Sequence, residues 1–306
     1  MVSDVLGVSV GSLYLRTPVL LASGTAGWGL EYKGLIDFDC VGGLITKAIT
    51  LFPRRGNPPP RIVETPCGLL NSIGLENPGV EAFLETLPKV KTLGVKIIAN
   101  IAGFSENEFV KLAEKLSCVD ALELNVSCPN VKQGGIAWIT DLPLMARMLQ
   151  KVRKVTSLPI IVKLSPEGDV EAQAKVVEDS GGDAISLVNT FRGMSVDIDT
   201  LKPRLGSAYG GLSGPAIKPL ALYRVWRVAQ SVSIPVIGVG GITSAEDAIE
   251  FLAVGAKAVE VGTALFRDPG VVKKIVVGIK EYLISHQYSN INKFFEAVHK
   301  EVTLWS

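Results

Sequence analysis

The chain alternates short apolar runs with longer amphipathic stretches. Eight runs stand out: "VLLASG" (19–24), "GLITKAI" (43–49), "KIIANIAG" (96–103), "ALELNVS" (121–127), "PIIVKLSP" (159–166), "AISLVNT" (184–190), "PVIGVGG" (235–241) and "AVEVGTALF" (258–266). Each is short, rich in branched residues and bounded by turn formers, as buried strands are. Most of the intervals can hold a helix. Residues 141–155 open on a capping Asp141 with Pro143 behind it, and Met145, Met148, Leu149 and Val152 share one stripe. Residues 243–256 pair Ser244 with Asp247 as in a capping box and stop at Gly255. Strand–helix alternation predicts parallel strands with right-handed crossovers. Eight such units close into a (β/α)8 TIM barrel, one domain over residues 1–306, with an open doubly wound sheet as the alternative. The opening "VLGVSVGSLYL" alternates and turns at Gly11–Ser12, which predicts a β-hairpin closing the barrel floor. The connection 50–79 is unusually long, and long connections inside a compact domain tend to be functional.

In a barrel the chemistry sits at the carboxyl ends of the strands. Here those ends are polar: Thr46–Lys47, Asn100, Asn125, Lys163 and Ser165, Asn189–Thr190, Gly240–Gly241 and Gly262–Thr263. The period of two puts Glu123 and Asn125 on one face and Leu122, Leu124 and Val126 on the other. Burying amides and ammonium groups on six strands is costly unless a polar ligand occupies the centre. Glycines at the last two strand ends let backbone approach an anion such as a phosphate. Two lysines among several amides suit a phosphorylated, electron-accepting cofactor such as FMN. A lysine could equally form a Schiff base with a sugar carbonyl, and periodicity does not separate the two uses.

Composition narrows the partners. The 306 residues are 47% hydrophobic and 20% charged, with 31 basic and 30 acidic residues and a net charge of +1. No basic face dominates, so no nucleic-acid partner is expected. The first residues lack the basic and apolar regions of a signal peptide, and no run approaches the ~20 apolar residues of a membrane span. Cys40, Cys67, Cys118 and Cys128 form no CxxC pair, and there are two histidines, so no metal site is expected. A reducing, cytoplasmic setting fits.

The motifs "NVSCPN", "ETPCGLLNSIGLENPG", "RRGNPPPR", "LVNT", "GGLSGPAIKP", "GVGGI" and "VGTALF" resemble, in order, those of the dihydroorotate dehydrogenases over roughly residues 4–290. Cysteine rather than serine before Pro129 resembles the class 1 enzymes. "CPNVKQGG" and "GLENPGVEAF" look like the NAD-linked class 1B rather than the fumarate-using class 1A, which stays the alternative. "KAITLFPRR" and "GIAWITD" depart mildly from the family pattern. The resemblance implies a (β/α)8 barrel with one FMN that oxidises dihydroorotate to orotate in pyrimidine synthesis. It implies Cys128 as the catalytic base, with Lys163 assisting. Ser23, Lys47, Ala48, Asn100, Asn125, Lys163, Val188, Gly214, Gly240, Gly241, Gly262 and Thr263 would contact FMN. Lys47, Asn71, Ser72, Ile73, Gly74, Leu75, Asn125, Asn189 and Thr190 would contact the substrate. It further implies a homodimer core carrying two partner subunits with FAD and a [2Fe–2S] cluster, which relay electrons to NAD⁺. Four scattered cysteines cannot hold such a cluster in this chain.

On this reading Cys128 removes a proton while a hydride leaves the neighbouring carbon, and Asn71, Asn125 and Asn189 orient the pyrimidine. The run after Pro129 is expected to close over the ligand. Cys40 and Cys118 are expected as small buried hydrophobes, and Cys67 has no assigned role. Trp28 and Trp138 are expected in packing or a lid, Glu123 as a structural partner of a lysine, and Arg54, Arg55 and Arg61 in a solvated or ion-paired loop. The competing readings are a phosphosugar aldolase with Lys163 as Schiff-base former, a flavin barrel reducing tRNA uridine, and a non-catalytic binding protein.

Overall fold

The computed structural model describes residues 5–127, 138 and 140–302. The chain opens with the expected antiparallel hairpin, β1 (Val8–Val10) and β2 (Leu13–Leu15). Val8, Val10, Leu13 and Leu15 are buried, and the Gly11 turn packs against the backbone of Asp183, just ahead of a barrel strand. The hairpin therefore covers the amino-terminal end of the barrel.

Barrel strands β3 (Val19–Leu21) and β4 (Gly43–Ile45) follow. The chain between them makes 3-10 turns at Leu30–Tyr32 and Phe38–Cys40 where a crossover α-helix was expected. Gly24, Gly27, Gly29 and Gly34 all take positive φ there, which an α-helix cannot accommodate. The long connection holds its own hairpin, β5 (Ile62–Thr65) and β6 (Gly68–Asn71), ahead of α1 (Val80–Lys91). Regular alternation resumes with β7 (Lys96–Ile101), α2 (Glu106–Lys115), β8 (Ala121–Asn125), α3 (Leu142–Val155), β9 (Ile160–Lys163), α4 (Val170–Asp179) and β10 (Ala184–Leu187). A second excursion forms β11 (Phe191–Gly193), β12 (Val196–Asp197), β13 (Lys202–Pro203) and β14 (Gly210–Ser213) before α5 (Lys218–Ser231). The chain ends with β15 (Val236–Val239), α6 (Ala245–Ala253), β16 (Ala256–Val261), α7 (Val271–Ser285) and α8 (Ile291–Val302).

The eight strands that match the eight apolar runs form one closed parallel barrel, β16 pairing back to β3 with Glu260 opposite Leu20. The architecture is a TIM barrel. Its helices bury the predicted stripes: α3 is capped by Asp141, which accepts from Leu144 N at 2.9 Å, and buries Met145, Met148, Leu149 and Val152. The Ser244–Asp247 capping box opens α6. The two excursions meet as a four-stranded antiparallel sheet, order β11-β14-β6-β5, with a small core of Val63, Leu70 and Leu205. That sheet stands over the carboxyl mouth, because β11 continues directly from β10.

Two expectations for cysteines fail. Cys118 is exposed, because it lies in the turn between α2 and β8, and Cys40 is only half-buried in its 3-10 turn. Trp28 and Trp138 are packing residues, edge-on to Phe83 at 5.2 Å and to Phe109 at 5.5 Å. Among the described residues no helix is long and apolar enough to cross a membrane.

Candidate active site

A cavity of about 450 Å³ opens at the carboxyl mouth, between the barrel and the antiparallel sheet. Its size is that of a cofactor-plus-substrate pocket. Lys47 follows β4, Asn125 ends β8, Lys163 ends β9, Asn189 and Thr190 follow β10, and all of them line it. So do Ser23, Ala48, Val188, Gly214, Gly240, Gly241, Gly262 and Thr263, together with Asn71, Ile73, Gly74 and Leu75 from the long connection. Asn100 and Ser72 do not line it. Asn100 stands one strand away and touches the lining through Asn125, whose Nδ2 donates to Asn100 Oδ1 at 3.4 Å. Ser72 is buried, accepts from Asn57 Nδ2 at 2.8 Å, and pairs with Ser207, which fastens one excursion to the other. Cys128, the expected base, lies outside the described residues, as does the run that follows it.

The floor is an ion network buried inside the barrel. Lys163 Nζ donates to Glu260 Oε2 at 2.8 Å and lies 3.9 Å from Glu123 Oε1. Glu123 also accepts from Asn100 Nδ2 at 2.5 Å and from Ser186 Oγ at 2.7 Å. Glu123 is thus the structural lysine partner expected. Burial acts to lower the Lys163 pKa, but the two carboxylates outweigh it and the ammonium is held above its usual range. A lysine kept protonated is a poor amine nucleophile, which counts against the Schiff-base reading.

The rim is more open. Lys47 Nζ donates to Glu76 Oε2 at 2.9 Å, and that hydrogen bond holds the Glu76 carboxyl below its usual range. Arg61 completes the rim at 4.0 Å from Glu76 and ties the loop together by donating to Asn57 O and Arg55 O. Arg54 lies over the Phe104 ring at 4.2 Å. Asn189 Nδ2 donates to Ser127 Oγ at 2.9 Å, and its Oδ1 accepts from Thr190 N at 2.8 Å, which fixes the amide toward the pocket.

The opposite end fits a phosphate. Gly241 has φ +74°, and a Cβ there would meet Gly214 O at 2.9 Å and Lys218 Cβ at 2.8 Å. Among the described residues no protein acceptor receives the N–H groups of Gly241, Ile242 or Thr263. Free backbone donors over a glycine turn form an anion cradle. The donor set is of the kind a phosphorylated, electron-accepting cofactor would need, with backbone amides for an anion at one end and ammonium groups at the other.

Two charged lining residues are not apparent from the strand-end pattern, Glu76 and Glu260. Glu76 directly follows the Asn71–Leu75 stretch. Glu260 shares the inward face with the other polar strand positions, and its period-two placement was the available signal.

Comparison with known proteins is consistent across the chain. The family model described as dihydroorotate dehydrogenase matches residues 5–283. A protein of Thermoanaerobacter pseudethanolicus named dihydroorotate dehydrogenase B (NAD(+)), catalytic subunit, is 48% identical over 292 residues, covering 94% of this chain and 97% of that protein. Proteins of the same name from Geotalea daltonii and Desulforudis audaxviator are 47% and 45% identical, each covering 96% of this chain and, respectively, 98% and 97% of their own lengths.

Proposed function

The chain belongs to the dihydroorotate dehydrogenase family, and from that premise we propose that it is an FMN-dependent catalytic subunit that oxidises (S)-dihydroorotate to orotate for pyrimidine synthesis. The observation that carries this reading is the convergence of Lys47, Asn125, Lys163 and Asn189 on one cavity that ends in the Gly240–Gly241 and Gly262–Thr263 turns.

Bound FMN supplies a two-electron acceptor for a substrate hydride. The rest is done by the chain. The N–H groups of Gly241, Ile242 and Thr263 would hold the phosphate, and Ser23, Ala48, Val188, Gly214, Gly240 and Gly262 would shape the groove around the cofactor. Lys163, whose ammonium is held above its usual pKa range, would stabilise negative charge that develops on the ring. Asn71, Asn125 and Asn189 hydrogen-bond the amide and carbonyl edges of the pyrimidine, with Ile73, Gly74, Leu75 and Thr190 closing around it. Lys47 meets the carboxylate of the substrate. The Cys128 sulfur accepts the proton from the carbon next to the one that loses hydride, and releases it to solvent after orotate leaves. The antiparallel sheet over the mouth keeps water from the reacting carbons.

The electrons then leave through a partner subunit with FAD and a [2Fe–2S] cluster to NAD⁺, in a heterotetramer built on a homodimer of this chain, in the cytoplasm. The relatives' name, a catalytic subunit linked to NAD(+), supports that arrangement.

An absorbance spectrum tests the function: the pure chain is yellow and bleaches when dihydroorotate is added under nitrogen. A colourless, folded protein would refute it and revive the aldolase. Cys128→Ala should keep the flavin spectrum and lose most turnover, and Cys128→Ser should keep some activity, shifted to higher pH. Co-purification from the source cell tests the assembly; a homodimer active with fumarate would replace the NAD-linked reading.

A further inference from the structure

Inside the barrel, one ammonium group faces two carboxylates. Lys163 comes from β9, Glu123 from β8 and Glu260 from β16. The uncharged neighbours are Asn100 on β7 and Ser186 on β10, while the residues opposite Glu260 on β3 and β15 are Leu20 and Val239. With every group ionised the cluster carries one excess negative charge at 0–6% side-chain exposure. The two carboxylates are not equivalent. Glu123 has donors on both oxygens, from Asn100 and Ser186, with Lys163 nearby. Glu260 has Lys163 on Oε2 alone, and its buried Oε1 has no partner. A buried carboxylate oxygen without a donor is costly, and a proton on it removes that cost.

We propose that Glu260 is a positioning residue that carries a proton in the resting protein, keeping the buried cluster neutral so that the full charge of Lys163 is available to the anionic reduced cofactor. This rests on the flavin reading of the same cavity. Burial first, and the negative Glu123 second, push the Glu260 carboxyl up to about 8, against the lowering pull of Lys163. Below that point Glu260 is neutral whether the cofactor is oxidised or reduced. Above it, Glu260 is ionised in the oxidised protein, and the added negative charge opposes reduction. Each two-electron reduction then draws one extra proton from solvent onto a Glu260 oxygen, forming an O–H bond and breaking none in the protein.

The test is the midpoint potential of the bound flavin across about pH 6 to 10, in the wild type and in Glu260→Gln, which keeps an acceptor for Lys163 but cannot titrate. The wild-type potential should fall more steeply above about pH 8, and the variant should show no such break. Coincident pH profiles in two proteins that both hold flavin would overturn the proposal. A folded wild type that holds no flavin would instead refute the cofactor reading, so the two failures are separable. Infrared spectroscopy of the flavin-free wild type provides a second reading that needs no variant: a protonated carboxyl band at about pH 7 that disappears on raising the pH. Its absence at neutral pH would also overturn the proposal, even if Glu260→Gln did not fold.

Discussion

Lys163→Met is the most informative single change, because it takes the cation out of the buried cluster while keeping a side chain of similar length. With Glu260 protonated, the main charge interaction it removes is the one with Glu123, at 3.9 Å. At an effective dielectric of about 20 this is worth about 4 kcal/mol before desolvation. The hydrogen bond to Glu260 at 2.8 Å adds about 1.5–3 kcal/mol. The methionine recovers the desolvation cost of the ammonium, so the net loss should be about 3–5 kcal/mol, as for other buried pairs broken from one side. The loss should also grow with pH. Without Lys163, whose charge pulls the Glu260 carboxyl down, the folded pKa of Glu260 rises further above its unfolded value. A carboxyl raised in this way loses stability as pH climbs from the unfolded to the folded value, by about 1.4 kcal/mol per pH unit for each proton. Urea unfolding of flavin-free protein at about pH 6 and pH 9 measures both effects, the absence of cofactor removing its own contribution to stability. A loss under about 1 kcal/mol at both pH values would refute the reasoning, since it would mean that the carboxylates do not depend on Lys163.

Other positions give sharper local tests. Glu76→Gln frees the Lys47 ammonium from its partner at 2.9 Å; both groups are partly exposed, so stability should change by less than about 1 kcal/mol, while orotate, titrated through the flavin band, should bind more tightly. Weaker binding would show that Glu76 orients Lys47 instead of competing for it. Gly241→Ala puts a methyl group 2.9 Å from Gly214 O at φ +74°; it should cost about 1–2 kcal/mol in the cradle and reduce the flavin content of purified protein, and full occupancy would contradict the phosphate assignment. Phe109→Ala empties a fully buried site under Trp138 and should lower unfolding stability by about 3–5 kcal/mol with little effect on the substrate KM.

The eight barrel strands, the floor hairpin, the cap of α3 and the capping box of α6 could all be read from the chain, because each depends on neighbours within a few positions: period, branched side chains and turn residues. The crossover helix expected after β3 is missing for an equally local reason, the four positive-φ glycines at 24, 27, 29 and 34. The long connection was recognisable as unusual, but not as half of a sheet. β6 pairs with β14, Gly211 opposite Asn71, 140 residues away, and nothing near either strand announces the other.

The same division runs through the site. The polar residue types at the strand ends were in plain view, and they pointed to a ligand at the carboxyl mouth. Which of them line the cavity was decided by the closed barrel, which turns Lys163 into it and leaves Asn100 behind Asn125. The sequence determined the kind of groups available, because that depends on composition and short-range period. The tertiary structure alone decided their charges and partners: Glu260 and Lys163 are 97 positions apart yet 2.8 Å apart in space, and only barrel closure removes the water that would otherwise screen them.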